Sequence, residues 1–208
     1  MRNSFHYDGE NQQTISFPLG GMGSGCIGLA GNGRLTDWEI FNRPGKGREN
    51  GLSHFSIKAE ENGKVVDARV LNGDLQPPYM GKFGTDHFFE GFGWGPRRES
   101  LAGMPHFESN TFEGTFPLAR LTFADDKFPG KISLEAFNPF IPHEEDDSSI
   151  PAAFFSFTVK NDSEKTFRYS LTGVLGNPYP GKARNRYVEE SGISMILSDS
   201  PEYDRGNL

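Results

Sequence analysis

Two carboxylates, Asp37 and Glu39, stand two positions apart in a run typical of a β-strand. In a strand, this spacing points both side chains to one face, with their Cα atoms about 7 Å apart. A carboxyl pair at that distance has the chemistry for general acid–base catalysis. Side by side on one strand, however, the two groups do not bracket a substrate. We therefore interpret them as a solvated face or as ion-pair partners of Arg34 or Arg43.

A second candidate is the segment Gly23–Gly28, whose sequence GSGCIG fits the G-x-G-x-x-G fingerprint of a dinucleotide-binding loop. That fingerprint binds a pyrophosphate only when a strand precedes it and a helix follows it. Gly31, Asn32 and Gly33 come soon after and would break the first turns of any helix. We therefore predict a hairpin with an Asn-Gly turn and no nucleotide cofactor.

Metal ligands are not indicated. The acidic run 144–147 lacks the spaced ligands and the turn glycine of a calcium loop, so we interpret it as a solvated loop. The histidines are scattered, with no i, i+4 pair and no cysteine partner for zinc. They are His6, His54, His87, His106 and His143. We predict no metal site and no cofactor of any kind.

Composition narrows the class of protein. A net charge of −7 gives no basic surface that attracts phosphates, so nucleic acid is not an expected partner. No apolar run approaches the roughly 20 residues that span a membrane, and the first eight residues lack the apolar core of a secretory signal. The single cysteine, Cys26, excludes an internal disulfide. These features predict a cytoplasmic protein.

The elements that must position these residues are strands. Tight-turn sequences separate pairs of strand-like runs, and helical periodicity is absent. The predicted hairpins join residues 26–30 with 34–41, 54–60 with 64–71, 118–123 with 131–137, and 152–160 with 166–174. Repeated strands without intervening helices predict an all-β fold, an antiparallel β-sandwich of supersandwich-like form with long loops.

Between Leu75 and Phe116 the periodicity disappears, which predicts a long ordered loop. Loops of this length in a compact domain are usually functional or form an interface. The alternative is an aromatic plug over one open end of the sandwich, made by Phe88, Phe89, Phe92 and Trp94.

Two long segments, Phe17–Gly47 and Glu135–Asn161, resemble a known family. The opening Phe-Pro-Leu-Gly-Gly-x-Gly-x-Gly, the run Trp38–Asn42 and the run Phe137–Pro142 are similar to the N-terminal domain of glycoside hydrolase family 116. This family includes the non-lysosomal glucosylceramidases, β-glucosidases and β-xylosidases. The resemblance covers nearly the whole chain.

The resemblance implies a retaining β-glycosidase of carbohydrate metabolism in which a β-sandwich precedes a larger (α/α)-toroid domain. The nucleophilic Glu and the acid/base Asp of the family lie in the toroid. We therefore expect residues 1–208 to be one β-sandwich domain, cut near its C-terminal end, with no catalytic residue and no activity alone. Its expected partners are that catalytic domain and, through it, a β-glycoside.

Six residues are candidates for a substrate rim or a domain interface: Trp38, Glu39, Asn42, Arg43, His54 and Trp94. A flat indole ring stacks on the apolar face of a sugar, and polar neighbours bind its hydroxyl groups. We favour Phe17–Gly47 as the docking face for the toroid, and we expect the isolated chain to self-associate through it. The alternatives are a freestanding carbohydrate-binding module and a structural module without a ligand.

Overall fold

A computed structural model describes residues 5–76, 100–179 and 181–202. In these ranges the fold is almost entirely β, which confirms the predicted fold class. Helical pieces there are short: a 3-10 turn at Gly9–Gln12, a four-residue helix α1 at Glu145–Ser148, and a single 3-10 residue at Ser100. No helix in the described ranges is both long and apolar enough to span a bilayer.

The strands follow one another along the chain as β1 Phe5–Asp8, β2 Ser16–Leu19, β3 Cys26–Ala30, β4 Leu35–Glu39, β5 His54–Glu61, β6 Lys64–Val70, β7 Ser109–Thr115, β8 Leu118–Ala124, β9 Lys131–Phe137, β10 Phe154–Lys160, β11 Arg168–Val174, β12 Arg184–Glu190 and β13 Ile193–Asp199.

Four antiparallel sheets are formed by these strands. The largest has the order β1-β7-β8-β9-β10, a second has the order β11-β5-β6, and a third has the order β2-β3-β4, while β12 and β13 form a separate hairpin. The predicted hairpins β3–β4, β5–β6 and β8–β9 are confirmed. In the β5–β6 turn, Asn62 and Gly63 have φ values of 50° and 77°, as a tight Asn-Gly hairpin requires.

The fourth predicted hairpin is wrong. Strands β10 and β11 exist near the predicted positions, but β10 pairs with β9 and β11 pairs with β5. The connection therefore crosses from one sheet to the other. Aromatic packing between the layers explains this, because the Phe55 ring lies 5.0 Å from the Phe155 ring and 4.9 Å from the Phe157 ring, centroid to centroid.

The core fills the space between the sheets. Along β9, Ile132, Leu134 and Ala136 are buried while their neighbours are more exposed, as the alternation predicts. Phe107 and Phe112 contribute the largest fully buried side chains. Burying each side chain of this size stabilises the fold by about 1.5–3 kcal/mol.

The irregular stretch is shorter than predicted. Residues 109–115 within it form β7, although Asn110 at an inward position hides the apolar alternation. The buried Asn110 amide donates a hydrogen bond to the Gly31 carbonyl at 2.8 Å, which satisfies its polar group inside the core. Residues 77–99, which include His87, Phe88, Phe89, Phe92 and Trp94, lie outside the described residues.

The acidic run was predicted to be a solvated loop. Its carboxylates are exposed, but residues 145–148 form α1 rather than a loop. Ser148 at the end of this turn is buried, and its hydroxyl bonds both backbone groups of Ile141, accepting from the nitrogen at 3.0 Å and donating to the oxygen at 2.9 Å. The short helix is thereby held against the preceding loop.

Candidate functional site

A group of polar side chains that could take part in acid–base chemistry surrounds β4. Cys26 pairs with Glu39 and Gly28 pairs with Thr36, so β4 contains one residue more than β3 over this interval. This is a β-bulge, and Asp37 at its centre has a φ of 50°. The bulge decides where each side chain of β4 points.

Both carboxylates of the sequence candidate reach one lysine. The Lys46 Nζ atom lies 3.4 Å from Asp37 Oδ2 and 2.9 Å from Glu39 Oε2. The predicted partner Arg34 is wrong, because it pairs with Glu49 at 3.0 Å. Among the described residues, no ion pair joins Arg43 to either carboxylate. Lys46 has this position because the turn after β4 folds back over the bulge, a return that strand periodicity does not show.

Backbone and hydroxyl donors complete the shell of Asp37. Ser16 Oγ donates to Oδ2 at 2.6 Å, and the Gly47 nitrogen donates to Oδ1 at 2.5 Å. Burial by itself would raise the pKa of Asp37, but these donors and the Lys46 charge outweigh it and hold the pKa below its usual value. Asp37 is therefore an ionised, fully bonded carboxylate.

Glu39 is held in the same way. The hydrogen bond from Lys46 is the largest cause of the lowered pKa of Glu39, and the Gly45 nitrogen is a second donor at 3.3 Å. The Cys26 thiol lies next to it, with Sγ 3.8 Å from Glu39 Oε2. Burial, and then the Glu39 charge, raise the pKa of Cys26, so the thiol stays protonated and is a poor nucleophile at neutral pH.

This arrangement fixes a loop and has no general acid. A carboxyl group that donates a proton near neutral pH needs a raised pKa, and both carboxylates of the cluster have lowered ones. Their bonds to Gly45, Lys46 and Gly47 instead clamp the loop after β4 onto the strand. The cluster is suited to positioning this loop.

Trp38 lies in the core. Its exposed fraction is 7%, and it belongs to the main hydrophobic cluster. Simple alternation from buried Leu35 would point Trp38 outward, but the extra residue of the bulge turns it inward. Its Nε1 atom is buried and has no hydrogen-bond partner among the described residues. Its ring thus has no open face for a sugar.

The remaining candidates are spread along the chain. Asn42 and Arg43 are exposed on the loop after β4. His54 begins β5, and its Nδ1 atom lies 2.5 Å from the Leu52 carbonyl oxygen. In the described part of the chain, no hydrogen bond or ion pair joins His54 to Glu39 or to these two residues. Trp94 lies outside the described residues.

The glycine-rich segment forms the turn between β2 and β3, and β3 begins at Cys26. The prediction that no helix starts there is confirmed, so the dinucleotide fingerprint lacks its helix. Its glycines serve close backbone packing instead. A Cβ atom on Gly21 would overlap the carbonyl oxygens of Ser149 and Ile150. A Cβ atom on Gly25 would lie 2.7 Å from the backbone carbonyl oxygen of Glu39.

Asn138 is a residue that the sequence analysis missed. Its side chain accepts a hydrogen bond from the Gly20 nitrogen at 2.6 Å and donates one to the Pro18 oxygen at 2.8 Å. The Met22 nitrogen donates to the Ser148 oxygen at 2.8 Å beside it. Asn138 lies inside the Phe137–Pro142 motif. A single polar residue among apolar ones is the sequence feature that could have identified it.

A shallow cleft elsewhere contains a second charged group. Arg69 pairs with Asp67 and Asp125, and its guanidinium lies 5.5 Å from the centre of the Phe107 ring. His106 Nε2 at its rim lies 3.5 Å from Asp74 Oδ1. Both carboxylates are occupied by Arg69, and its bonds to Asp125 and to the His106 carbonyl tie β6 to the loops that contain these two residues. No three metal-ligating side chains cluster in the described ranges.

A comparison with protein families places the chain. Residues 16–198 match the family described as beta-glucosidase 2, glycosyl-hydrolase family 116 N-term. The matched range contains the glycine-rich turn, the bulge of β4, the Lys46 loop and Asn138.

Proposed function

Because the chain belongs to this family of glycosyl-hydrolase family 116 N-terminal domains, we propose that it is the noncatalytic β-sandwich domain of a retaining β-glycosidase. An N-terminal domain of this enzyme family implies a C-terminal catalytic domain. We place the nucleophilic Glu and the acid/base Asp in that domain, an (α/α) toroid, and none among residues 1–208. The proposed substrates are β-glucosides, including glucosylceramide-like ones.

The family match carries this proposal, and the chemistry of the β4 cluster supports it. A retaining glycosidase needs two carboxyl groups about 5 Å apart across the scissile bond, one of them protonated before reaction. Asp37 and Glu39 both have lowered pKa values, and both bind Lys46. Neither is suited to the role of the acid.

The proposal is tested in the enzyme that carries both domains, with 4-nitrophenyl β-glucoside as substrate. We expect Asp37→Asn and Glu39→Gln to change kcat by less than about tenfold, because neither touches the reacting atoms. Removing a catalytic carboxylate typically lowers kcat by more than about a thousandfold. A loss of that size in either variant, with the variant still folded at the assay temperature, would place catalysis in the sandwich and overturn the proposal.

A freestanding carbohydrate-binding module would need an exposed aromatic platform, and the candidate Trp38 does not supply one because it is buried. Calorimetric titration of this chain with cellobiose separates the two functions. We expect no saturable heat. Micromolar binding by the chain alone would favour the binding module.

A further inference from the structure

The hairpin of β12 and β13 forms a separate two-stranded sheet. Its strands pair with each other and with no other described strand, so each of them has one edge without a described partner. A two-stranded hairpin alone is marginally stable in water, and further strands stabilise it. An unpaired strand edge is also a template on which another strand can pair. We call the outer edge of Arg184–Glu190 the β12 edge.

The β12 edge presents the backbone groups of alternate residues. Glu190 and Ile193 close a two-residue turn of Ser191 and Gly192, whose φ values are 52° and 78°. The closing pair of such a turn is hydrogen-bonded, so Glu190 directs its backbone groups towards β13. The direction alternates along an antiparallel strand. The residues that direct their N–H and C=O groups away from β13 are therefore Asn185, Tyr187 and Glu189.

Opposite charges lie at the two ends of β12. Arg184 and Arg186 are near its start, Glu189 and Glu190 are at its end, and all four residues are exposed. Charged side chains commonly protect an edge strand by repelling a second strand. In an antiparallel pair of identical strands, however, the start of one lies beside the end of the other. The charges of β12 therefore attract a second copy of β12.

We infer that β12 pairs with β12 of a second copy of this chain, antiparallel and about a twofold axis at Tyr187. This register sets Arg184 opposite Glu190 of the second copy and places Arg186 diagonal to the same carboxylate. Arg184 keeps its bond to Asp199 at 2.8 Å within its own hairpin, because a guanidinium has donors for two carboxylates. By the symmetry, each charge pair is made twice.

The same register satisfies the backbone of the β12 edge. Tyr187 exchanges both backbone hydrogen bonds with Tyr187 of the second copy, and Asn185 exchanges both with Glu189 of the second copy. The two Tyr187 side chains, each 65% exposed in the single chain, meet at the axis beside Ile196, which is opposite Tyr187 on β13. Aromatic pairs across strands stabilise a sheet. Two marginal hairpins thus become one four-stranded sheet.

Other edges of the described sheets do not favour pairing with their own copy. Pairing of β6 with itself about its central residue would set Asp67 opposite Asp67. Pro18 lacks the backbone donor that pairing along β2 needs. At neutral pH, formal charges of only one sign occur on each of β1, β4, β10, β11 and β13. The inference therefore assigns self-association to the β12 edge and not to Phe17–Gly47, and it is independent of the proposed function.

Charge reversal tests the pairing by sedimentation velocity. Arg184→Glu and Glu190→Arg each set like charges opposite each other, so we expect each to raise the dissociation constant of the dimer at least about tenfold. In an equimolar mixture of the two variants, every such pair is again of opposite sign. We expect the mixed dimer to return to within about threefold of the parent constant. Lys64→Glu, exposed on β6, is the control and should leave the constant unchanged.

Disulfide trapping locates the axis independently of the charges. In a Cys26→Ser background, Tyr187→Cys sets two thiols opposite each other with Cα atoms about 5.5 Å apart, a separation that a disulfide spans. Ile196→Cys is the matched control, 69% exposed, because its counterpart lies three strand spacings away, about 14 Å. With glutathione disulfide as oxidant and nonreducing electrophoresis as readout, we expect Tyr187→Cys to form the covalent dimer at least about tenfold faster than Ile196→Cys.

The outcomes distinguish between occupants of the β12 edge. A chain that stays monomeric up to about 1 mM, or a dimer that neither reversal weakens, would overturn the inference. Equal crosslinking of Tyr187→Cys and Ile196→Cys would place the contact elsewhere and also overturn it. The same measurements are made on the enzyme that carries the C-terminal domain. If that enzyme stays monomeric while this chain dimerises, another part of the polypeptide covers the β12 edge, and the inference is wrong.

Discussion

The Asn138 side chain accepts a hydrogen bond from the backbone nitrogen of Gly20, 118 residues earlier in the chain, at 2.6 Å. This bond joins the two segments on which the family resemblance rests, the glycine-rich turn and the Phe137–Pro142 run. Asn138 is only 6% exposed, so both of its side-chain bonds are made away from water.

Replacing Asn138 with alanine leaves the Gly20 nitrogen and the Pro18 oxygen without their partner. Each unsatisfied buried group costs about 1–3 kcal/mol, so we expect Asn138→Ala to lower the free energy of unfolding by about 2–4 kcal/mol. Urea unfolding followed by tryptophan fluorescence measures this. Asn161→Ala, in an exposed turn, is the control and should cost less than about 1 kcal/mol. Equal losses would show that Asn138 is an ordinary surface amide.

Gly21 is expected to tolerate no side chain. Its Cβ would overlap the carbonyl oxygens of Ser149 and Ile150, which are backbone and do not yield easily. We expect Gly21→Ala to destabilise the chain by about 1–3 kcal/mol, the range for overpacked sites. Gly103→Ala, where a Cβ meets nothing within 4 Å, is the control for thermal melting. A melting temperature unchanged in Gly21→Ala would contradict the close packing of the turn.

Substitution of Trp38 distinguishes between two roles for this residue, packing in the core and docking to a partner. Because the bulge buries its ring, Trp38→Ala should create a cavity and cost about 3–5 kcal/mol in this chain without any partner. Differential scanning calorimetry measures the loss. A stable Trp38→Ala chain with reduced self-association would instead support docking through Trp38.

Asp37 makes stability depend on pH in a defined direction. Its pKa is lowered in the folded state, so its contribution is present above the unfolded-state value of about 3.9 and disappears as the pH falls through the lower folded value. Asp37→Asn should therefore be less stable than the parent at pH 7, by about 1–3 kcal/mol, and the gap should narrow below about pH 4. Asp126→Asn, at an exposed position, is the control across the same pH series. A gap that widens in acid would refute the assignment.

Structural features that depend on neighbouring residues can be predicted from the sequence, whereas features that depend on contacts between distant residues cannot. The Asn62-Gly63 turn and the alternation of β9 are local, and both were predictable. The pairing of β10 with β9, and not with β11, is set by the contact of Phe155 and Phe157 with Phe55 across the layers. Neither ring contact leaves a trace in strand periodicity.

The candidate site shows the same limit. The proximity of Asp37 and Glu39 followed from their spacing, but the bulge reversed the expected exposure of Trp38, because one extra residue shifts every later side chain. Lys46 was missed because its turn folds back on β4. Asn138 was missed because its partners are distant in sequence.

The central claim is that this chain is the noncatalytic domain of a β-glycosidase. The direct test compares initial rates of 4-nitrophenyl β-glucoside hydrolysis, at equal molar concentrations, for residues 1–208 and for the enzyme that also carries the C-terminal domain. We predict hydrolysis by the two-domain enzyme and a rate equal to the buffer blank for the chain alone. Hydrolysis by the chain alone, abolished by Glu39→Gln, would contradict the claim.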